Sequence, residues 1–180
     1  MTTIELVRHA KAHSRDRWWG KPDRDRPLTT DGVNQALWLA RDLVRGGPVA
    51  AIYCSPFTRC VQTVEPLADL TGLPIRIEDG LGEVTALPLL DDEAWSAPAW
   101  LAGRALALVD RILAEHPEER VVACTHGDVV PALVALLVGR DEVVTDHVRL
   151  RKGARFSLAF KGGRCATVAH VPAPVDRARG

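Results

Sequence analysis

Short apolar runs of strand length alternate with segments of helical period along nearly the whole chain, and that alternation leaves few folds open. Residues 4–7 are the first such run and end at Arg8 and His9. Residues 49–53 end at Cys54, Ser55 and Pro56, residues 73–77 form a third run, and residues 120–125 lead into His126, Gly127 and Asp128. Between them, Val33, Ala36, Leu37, Ala40, Leu43 and Val44 recur at helical spacing. That helix follows the N-cap chemistry of Thr29-Thr30-Asp31 and stops at Gly46-Gly47-Pro48. Val61, Val64, Leu67, Ala68 and Leu70 mark a second helix, with a kink expected at Pro66. A third starts at Pro98 and ends before Pro117. A fourth follows Asp128 and is expected to stop at Gly139. Residues 156–160 and 165–171 read as a closing hairpin around Gly162-Gly163. Residues 10–28 and 79–97 lack periodicity and read as loops, the second acidic and lid-like. Residues 1–171 are expected to form one domain, with 172–180 a frayed tail.

The pattern predicts βαβ units and a mainly parallel sheet, in which ligands bind beyond the carboxyl ends of the strands. Three runs end in polar groups: Arg8 with His9, Ser55 with Arg59 just beyond, and Thr125 with His126. A parallel sheet brings these to one edge. Twenty-three Lys and Arg balance 23 Asp and Glu, for a formal net charge of zero. That balance argues against a general nucleic-acid or anionic-membrane binder. No cationic segment leading into an apolar one marks a signal peptide, and no apolar run reaches the roughly 18–20 residues of a membrane span. Cys54, Cys60, Cys124 and Cys165 show no C-x-x-C pairing, so reduced thiols in a cytoplasmic protein are expected.

Four elements stand in order: Arg8-His9-Ala10; the run from Ser55 through Arg59 to Gln62-Thr63; Glu83 in Leu81-Gly82-Glu83; and His126-Gly127. Together they resemble the histidine phosphatase superfamily, also called phosphoglycerate mutase-like, over nearly the whole chain. The run Arg26-Pro27-Leu28-Thr29-Thr30-Asp31-Gly32 is similar to the R-P-L-T-x-x-G of SixA-type phosphohistidine phosphatases. Arg8-His9-Ala10-Lys11-Ala12 and Arg151-Lys152-Gly153-Ala154 are similar to a histidine phosphatase domain fused to Nudix hydrolases in mycobacteria.

The resemblance implies a three-layer α/β/α sandwich. It implies a phosphatase with His9 as a transiently phosphorylated nucleophile and Glu83 as proton donor. It implies no cofactor and no metal. The substrate it implies is a phosphohistidine protein or a small phosphorylated metabolite or nucleotide. A non-catalytic phosphoanion-binding module on the same fold is the alternative. The physical chemistry of the residues runs parallel to this. A phosphoryl group in flight spreads negative charge over its oxygens, so it needs positioned cations. Arg8 and Arg59 present planar forks, Arg26 adds a third, and His126 donates a hydrogen bond. The backbone of Gly127 starts a helix and offers N–H groups. Lys11 and Trp18 in the first loop are further substrate-binding candidates. Trp18-Trp19 with Lys21 and Arg24 suit a stacking clamp, or a pair of tryptophans packed on the domain.

Several features stay open or depart from the pattern. Glu78, Asp79, Asp91, Asp92 and Glu93 are alternatives to Glu83. Ala10 stands where the family carries Gly. Ala12 and Arg15 stand where mutases carry a hydroxyl or an amide, which argues against a mutase. His9 and His13 have the spacing of a zinc-binding pair but lack its Glu. Cys54 and Arg59 are one residue too close for a cysteine phosphatase loop. His116, His147 and His170 have no partner visible in the sequence, and nothing in it speaks to oligomeric state.

Overall fold

The structure is a computed structural model that describes residues 1–83 and 95–173. Six strands form one sheet: β1 (Thr2–Arg8), β2 (Ala51–Cys54), β3 (Ile75–Ile77), β4 (Arg120–Thr125), β5 (Arg155–Lys161) and β6 (Arg164–Val171). Their order across it is β3-β2-β4-β1-β5-β6. β3, β2, β4 and β1 are parallel, while β5 and β6 add an antiparallel hairpin beside β1. The helices are α1 (Thr30–Arg45), α2 (Thr58–Thr71), α3 (Ser96–Glu115) and α4 (Val129–Asp141).

Strand alternation sorts the core into two halves. Along β4, Val121 and Ala123 join the cluster built on Leu108 and Ile112 of α3 and Leu133 of α4. Val122 and Cys124 join the opposite cluster, with Leu39 and Leu43 of α1 and Val64 and Leu67 of α2. Both faces of the sheet are therefore covered, which is why the parallel strands read as near-continuous apolar runs. The result is the expected three-layer sandwich with a mainly parallel sheet. In register, Arg8 lies beside Thr125 and Cys54 beside Cys124, so the carboxyl ends of β1, β2 and β4 share one edge.

The element boundaries differ from the sequence pattern in instructive ways. α3 begins at Ser96 rather than Pro98. A proline in the first turn sacrifices no bond, because those N–H groups have no acceptor inside the helix. α4 runs through Gly139 to Asp141 and ends where Glu142 takes a left-handed conformation (φ 57°). One helical glycine costs only about 1 kcal/mol, too little to stop a helix whose Leu133, Val134 and Leu137 are fully buried. Pro66 likewise sits inside α2 without ending it. The loop after β1 holds short 3₁₀ turns at Asp16–Trp18 and Asp23–Asp25, and Ala12 bridges to Leu28.

The three unassigned histidines do have partners. His116 contacts the Tyr53 hydroxyl at 3.0 Å and Glu119 at 2.7 Å, and the rings of His147 and His170 lie 5.0 Å apart. The readings of residues 84–94 as part of a lid and of 174–180 as a tail, together with Asp91, Asp92 and Glu93, lie outside the described residues. Among the described residues, no helix is long and apolar enough to cross a membrane.

Candidate active site

The Ser55–Thr63 run folds into the clamp that gathers the strand ends. Ser55 Oγ lies 2.7 Å from His126 Nε2. Thr63 Oγ1 donates to the Arg59 carbonyl at 2.6 Å and accepts the Ala10 N–H at 3.0 Å. Gln62 accepts the Leu28 N–H at 2.8 Å. One helix start therefore ties β1's end to the loop that carries Arg26. The Arg26–Gly32 run has its own logic. Thr29 caps α1 by accepting the Gly32 N–H, and it also donates to the Lys11 carbonyl. A Cβ on Gly32 would sit 2.0 Å from that carbonyl oxygen, so only glycine allows α1 to approach there. Ala10 in place of glycine is accommodated: it is fully buried, and its φ is not among the positive values.

His9 is nearly buried and follows directly on β1, with its backbone N–H bonded to Thr125 O. Its Nδ1 lies 2.7 Å from Ala10 O. Only a protonated nitrogen donates to a carbonyl, so in the neutral ring the lone pair sits on Nε2. Burial, then His126, Arg59 and Arg8, push the His9 pKa down to about 3, so the ring is neutral at pH 7.

His126 behaves oppositely. Burial opposes its charge, but the Cys60 sulfur, 3.4 Å from Nε2, and Glu83, 3.2 Å from Nδ1, raise its pKa to about 9. Two histidines whose rings lie 5.4 Å apart thus hold opposite protonation states. Burial alone would raise the Glu83 carboxyl. Its contacts with His126, Arg59 and Arg15 outweigh that and lower its pKa to about 2.

Arg59 is completely buried. It pairs with Glu83 at 2.7 Å and with Asp23 at 3.1 Å, and donates to Asp23 O at 2.8 Å. Arg8 donates to Leu150 O at 2.6 Å. Arg26 donates to Asp23 at 2.8 Å and to His13 O at 2.6 Å. The Nε atoms of Arg8 and Arg59 are buried without a hydrogen-bond partner among the described residues. Unpaired guanidinium N–H groups are costly to bury and call for an anion.

A cavity of about 620 Å³ opens over these groups. Its lining includes Arg8, His9, Arg15, Arg26, Glu83 and Gly127. Arg59 and His126 stand behind the Glu83 carboxylate, which bridges them. A Cβ on Gly127 would lie 2.6 Å from Arg8 Cζ, so any other residue there displaces the Arg8 fork. Lys11 and Trp18 are not brought to the cavity. The Lys11 backbone is laced to Thr29 and Gln35, which directs its amine to Asp31 at 2.6 Å. Trp18 bonds Pro22 O, and Lys21 covers its face at 4.4 Å. The sequence also left Asp23, Arg15 and Cys60 unassigned, since no motif marks them.

His9, Glu83 and His126 offer three ligand atoms within 4.8 Å of one another. Their surroundings disfavour a metal cation. Arg8, Arg59 and Arg26 ring the set, and both ring nitrogens of His126 are engaged by Ser55, Cys60 and Glu83. The charge suits an anion.

The profile of the histidine phosphatase superfamily (branch 1) matches residues 4–89 and 91–171. An 8-oxo-(d)GTP phosphatase from Mycolicibacterium smegmatis is 31% identical over 175 residues, covering 97% of this chain and 49% of that protein. The chain thus spans about half the length of that relative. The structure of the protein histidine phosphatase SixA complexed with tungstate superposes with a TM-score of 0.71 at 21% identity, over 97% of this chain and 99% of that one. Bacillus stearothermophilus YhfR superposes with a TM-score of 0.74 at 25% identity, over 94% and 96%.

Proposed function

The chain belongs to the histidine phosphatase superfamily, branch 1, and from that premise we propose that it is a metal-independent phosphatase working through a phosphohistidine on His9. The observation that carries this is geometric: His9, its Nδ1 held 2.7 Å from Ala10 O, stands 5.4 Å ring to ring from His126, which is paired with Glu83, among guanidinium groups with unpaired N–H. His9 Nε2 attacks phosphorus while the bond to the leaving oxygen breaks. Arg8, Arg59 and His126 hold the equatorial oxygens. The ring keeps its Nδ1 proton on Ala10 O, so the phosphorylated imidazole is cationic and leaves readily when water attacks.

Glu83 links binding to proton transfer. In the free protein its carboxylate occupies Arg59 and His126. An arriving phosphate dianion competes for the same cations. Glu83, deprived of them and set beside an anion, then rises in pKa, takes up a proton from solvent and passes it to the leaving oxygen. It takes a proton back from the water that releases orthophosphate.

Two substrate classes fit: a protein phosphohistidine, or a small phosphorylated metabolite or nucleotide. The M. smegmatis relative, named for 8-oxo-(d)GTP, favours the second. The likeness to SixA, at 21% identity, speaks to fold.

The test is phosphate release, in EDTA, from p-nitrophenyl phosphate, a phosphohistidine peptide and nucleoside diphosphates. Turnover is expected to survive chelation. Orthophosphate binding with no turnover on any substrate would instead favour a non-catalytic anion-binding module. The pH profile adds a second check. His9 is neutral above about 3 and His126 is charged below about 9. On p-nitrophenyl phosphate, whose leaving group needs no proton, kcat/KM corrected for substrate ionisation is expected to stay level through neutrality. It should fall as pH rises through about 9, when His126 loses its proton. An alkaline fall near the ordinary histidine value of about 6.5 would contradict the His126–Glu83 pairing.

Gly127→Ala is expected to lower kcat/KM on the order of 100-fold, because the new methyl displaces the Arg8 fork. The melting temperature should barely change. Activity within a few-fold of wild type would show that the close approach is not needed.

A further inference from the structure

The cavity is far larger than one phosphoryl group, and its charge is not used up by one. Its lining carries Arg8, Arg15, Arg26, Arg149 and Lys152 against Glu83 and Asp128. Those groups leave three cations in excess, and a monoester dianion leaves part of that excess unmatched. Arg15 and Arg26 are already paired with Asp23 or Glu83, which leaves Arg149 and Lys152 as the cations outside the proposed chemistry and its ion pairs. Both are exposed, and neither has an acid partner among the described residues.

Their position is nonetheless fixed by the reaction centre. Leu150, between them, accepts the Arg8 guanidinium at 2.6 Å. The Gly153 N–H bonds both Arg8 O at 3.1 Å and His9 O at 3.2 Å. The segment 149–153 is thus latched onto Arg8 and His9 at two points. Burial and the fields of Arg8, Arg26, Lys11 and Arg59 hold the Lys152 amine below its ordinary pKa. The neighbouring charges that act on it most strongly are cations, a tension that an anion relieves. Pro98 and Pro131 supply apolar wall in the same cavity.

We propose that Arg149 and Lys152 form a second anion subsite beside the phosphoryl position, selecting substrates with a further anionic group next to the phosphoryl transferred, of the phosphoanhydride kind found in a nucleoside diphosphate. This rests on the phosphatase reading for the placement of the first phosphoryl at His9. The cut is then the terminal one: the P–O bond between the two phosphates breaks. The terminal phosphoryl goes to His9, and the remaining phosphate leaves while held by Arg149 and Lys152. A protein phosphohistidine offers no such second group.

The test is calorimetric binding of inorganic pyrophosphate and orthophosphate to the full chain, which needs no turnover. In wild type, pyrophosphate should bind at least about tenfold tighter than orthophosphate, since a single charge-assisted contact supplies about that factor. The ratio should collapse toward one in the double variant Arg149→Gln/Lys152→Gln and fall partway in each single variant. Equal affinities in wild type, or a ratio that survives the double variant, would overturn the subsite. A chain that turns over p-nitrophenyl phosphate yet shows equal affinities fails on the subsite alone. A chain that keeps the ratio and its loss in the variants, but never turns over, fails on the phosphatase reading alone.

Discussion

Replacing His9 with alanine is expected to remove turnover of every phosphorylated substrate, by on the order of 10⁴-fold or more, while anion binding persists. The reasoning is geometric. His9 offers a nitrogen lone pair placed among the guanidinium groups, because its Nδ1 proton is committed to Ala10 O. Neither ring nitrogen of the protonated His126 is a substitute, since its N–H groups donate to Ser55 Oγ and to the Glu83 carboxylate. Arg8 and Arg59 do not depend on His9 for their position: Leu150 O holds the first, and Asp23 with Glu83 the second. Orthophosphate should therefore still bind His9→Ala, with an affinity within a few-fold of wild type. A variant retaining a tenth of wild-type turnover would mean that another group attacks phosphorus.

Arg59→Ala should damage both stability and activity, which sets it apart from His9→Ala. The guanidinium is fully buried and holds two carboxylates, Glu83 at 2.7 Å and Asp23 at 3.1 Å. Removing one partner of a buried ion pair leaves charge uncompensated and costs about 3–5 kcal/mol. For a domain of this size that lowers the melting temperature by roughly 10 °C. Activity should fall by on the order of 10³-fold, because a positioned fork on the phosphoryl oxygens is gone. Arg59→Lys should recover part of the stability but little of the activity, as an ammonium restores charge without the fork. Thermal melts and kcat/KM on the three proteins check this. A wild-type melting temperature in Arg59→Ala would contradict the bracing role.

Much of the frame was legible because each signal there is local. Strand-length apolar runs and helical periodicity located the layers, and the polar residues closing β1, β2 and β4 foretold the shared edge. The rest depends on contacts that no spacing encodes. Asp23 joins Arg59, Arg26 and Arg15 from a loop without periodicity. Cys60 reads as a core cysteine, and only the fold sets it against His126. Lys11 and Trp18 suit a substrate by charge and ring, yet backbone lacing sends one to Asp31, and Lys21 caps the other. The sequence pattern starts α3 at Pro98 instead of Ser96 because proline is a strong stop inside a helix and a neutral residue in its first turn.

The central claim is a phosphoryl group carried on His9, and the most direct measurement is to catch it there. Enzyme turning over phosphoryl-labelled p-nitrophenyl phosphate in EDTA would be quenched in alkali, digested and mapped by mass spectrometry. The account predicts one alkali-stable, acid-labile label on the Nε2 nitrogen of His9, absent from His9→Ala. Label on another residue, or steady turnover with no phosphorylated enzyme at any time, would contradict it.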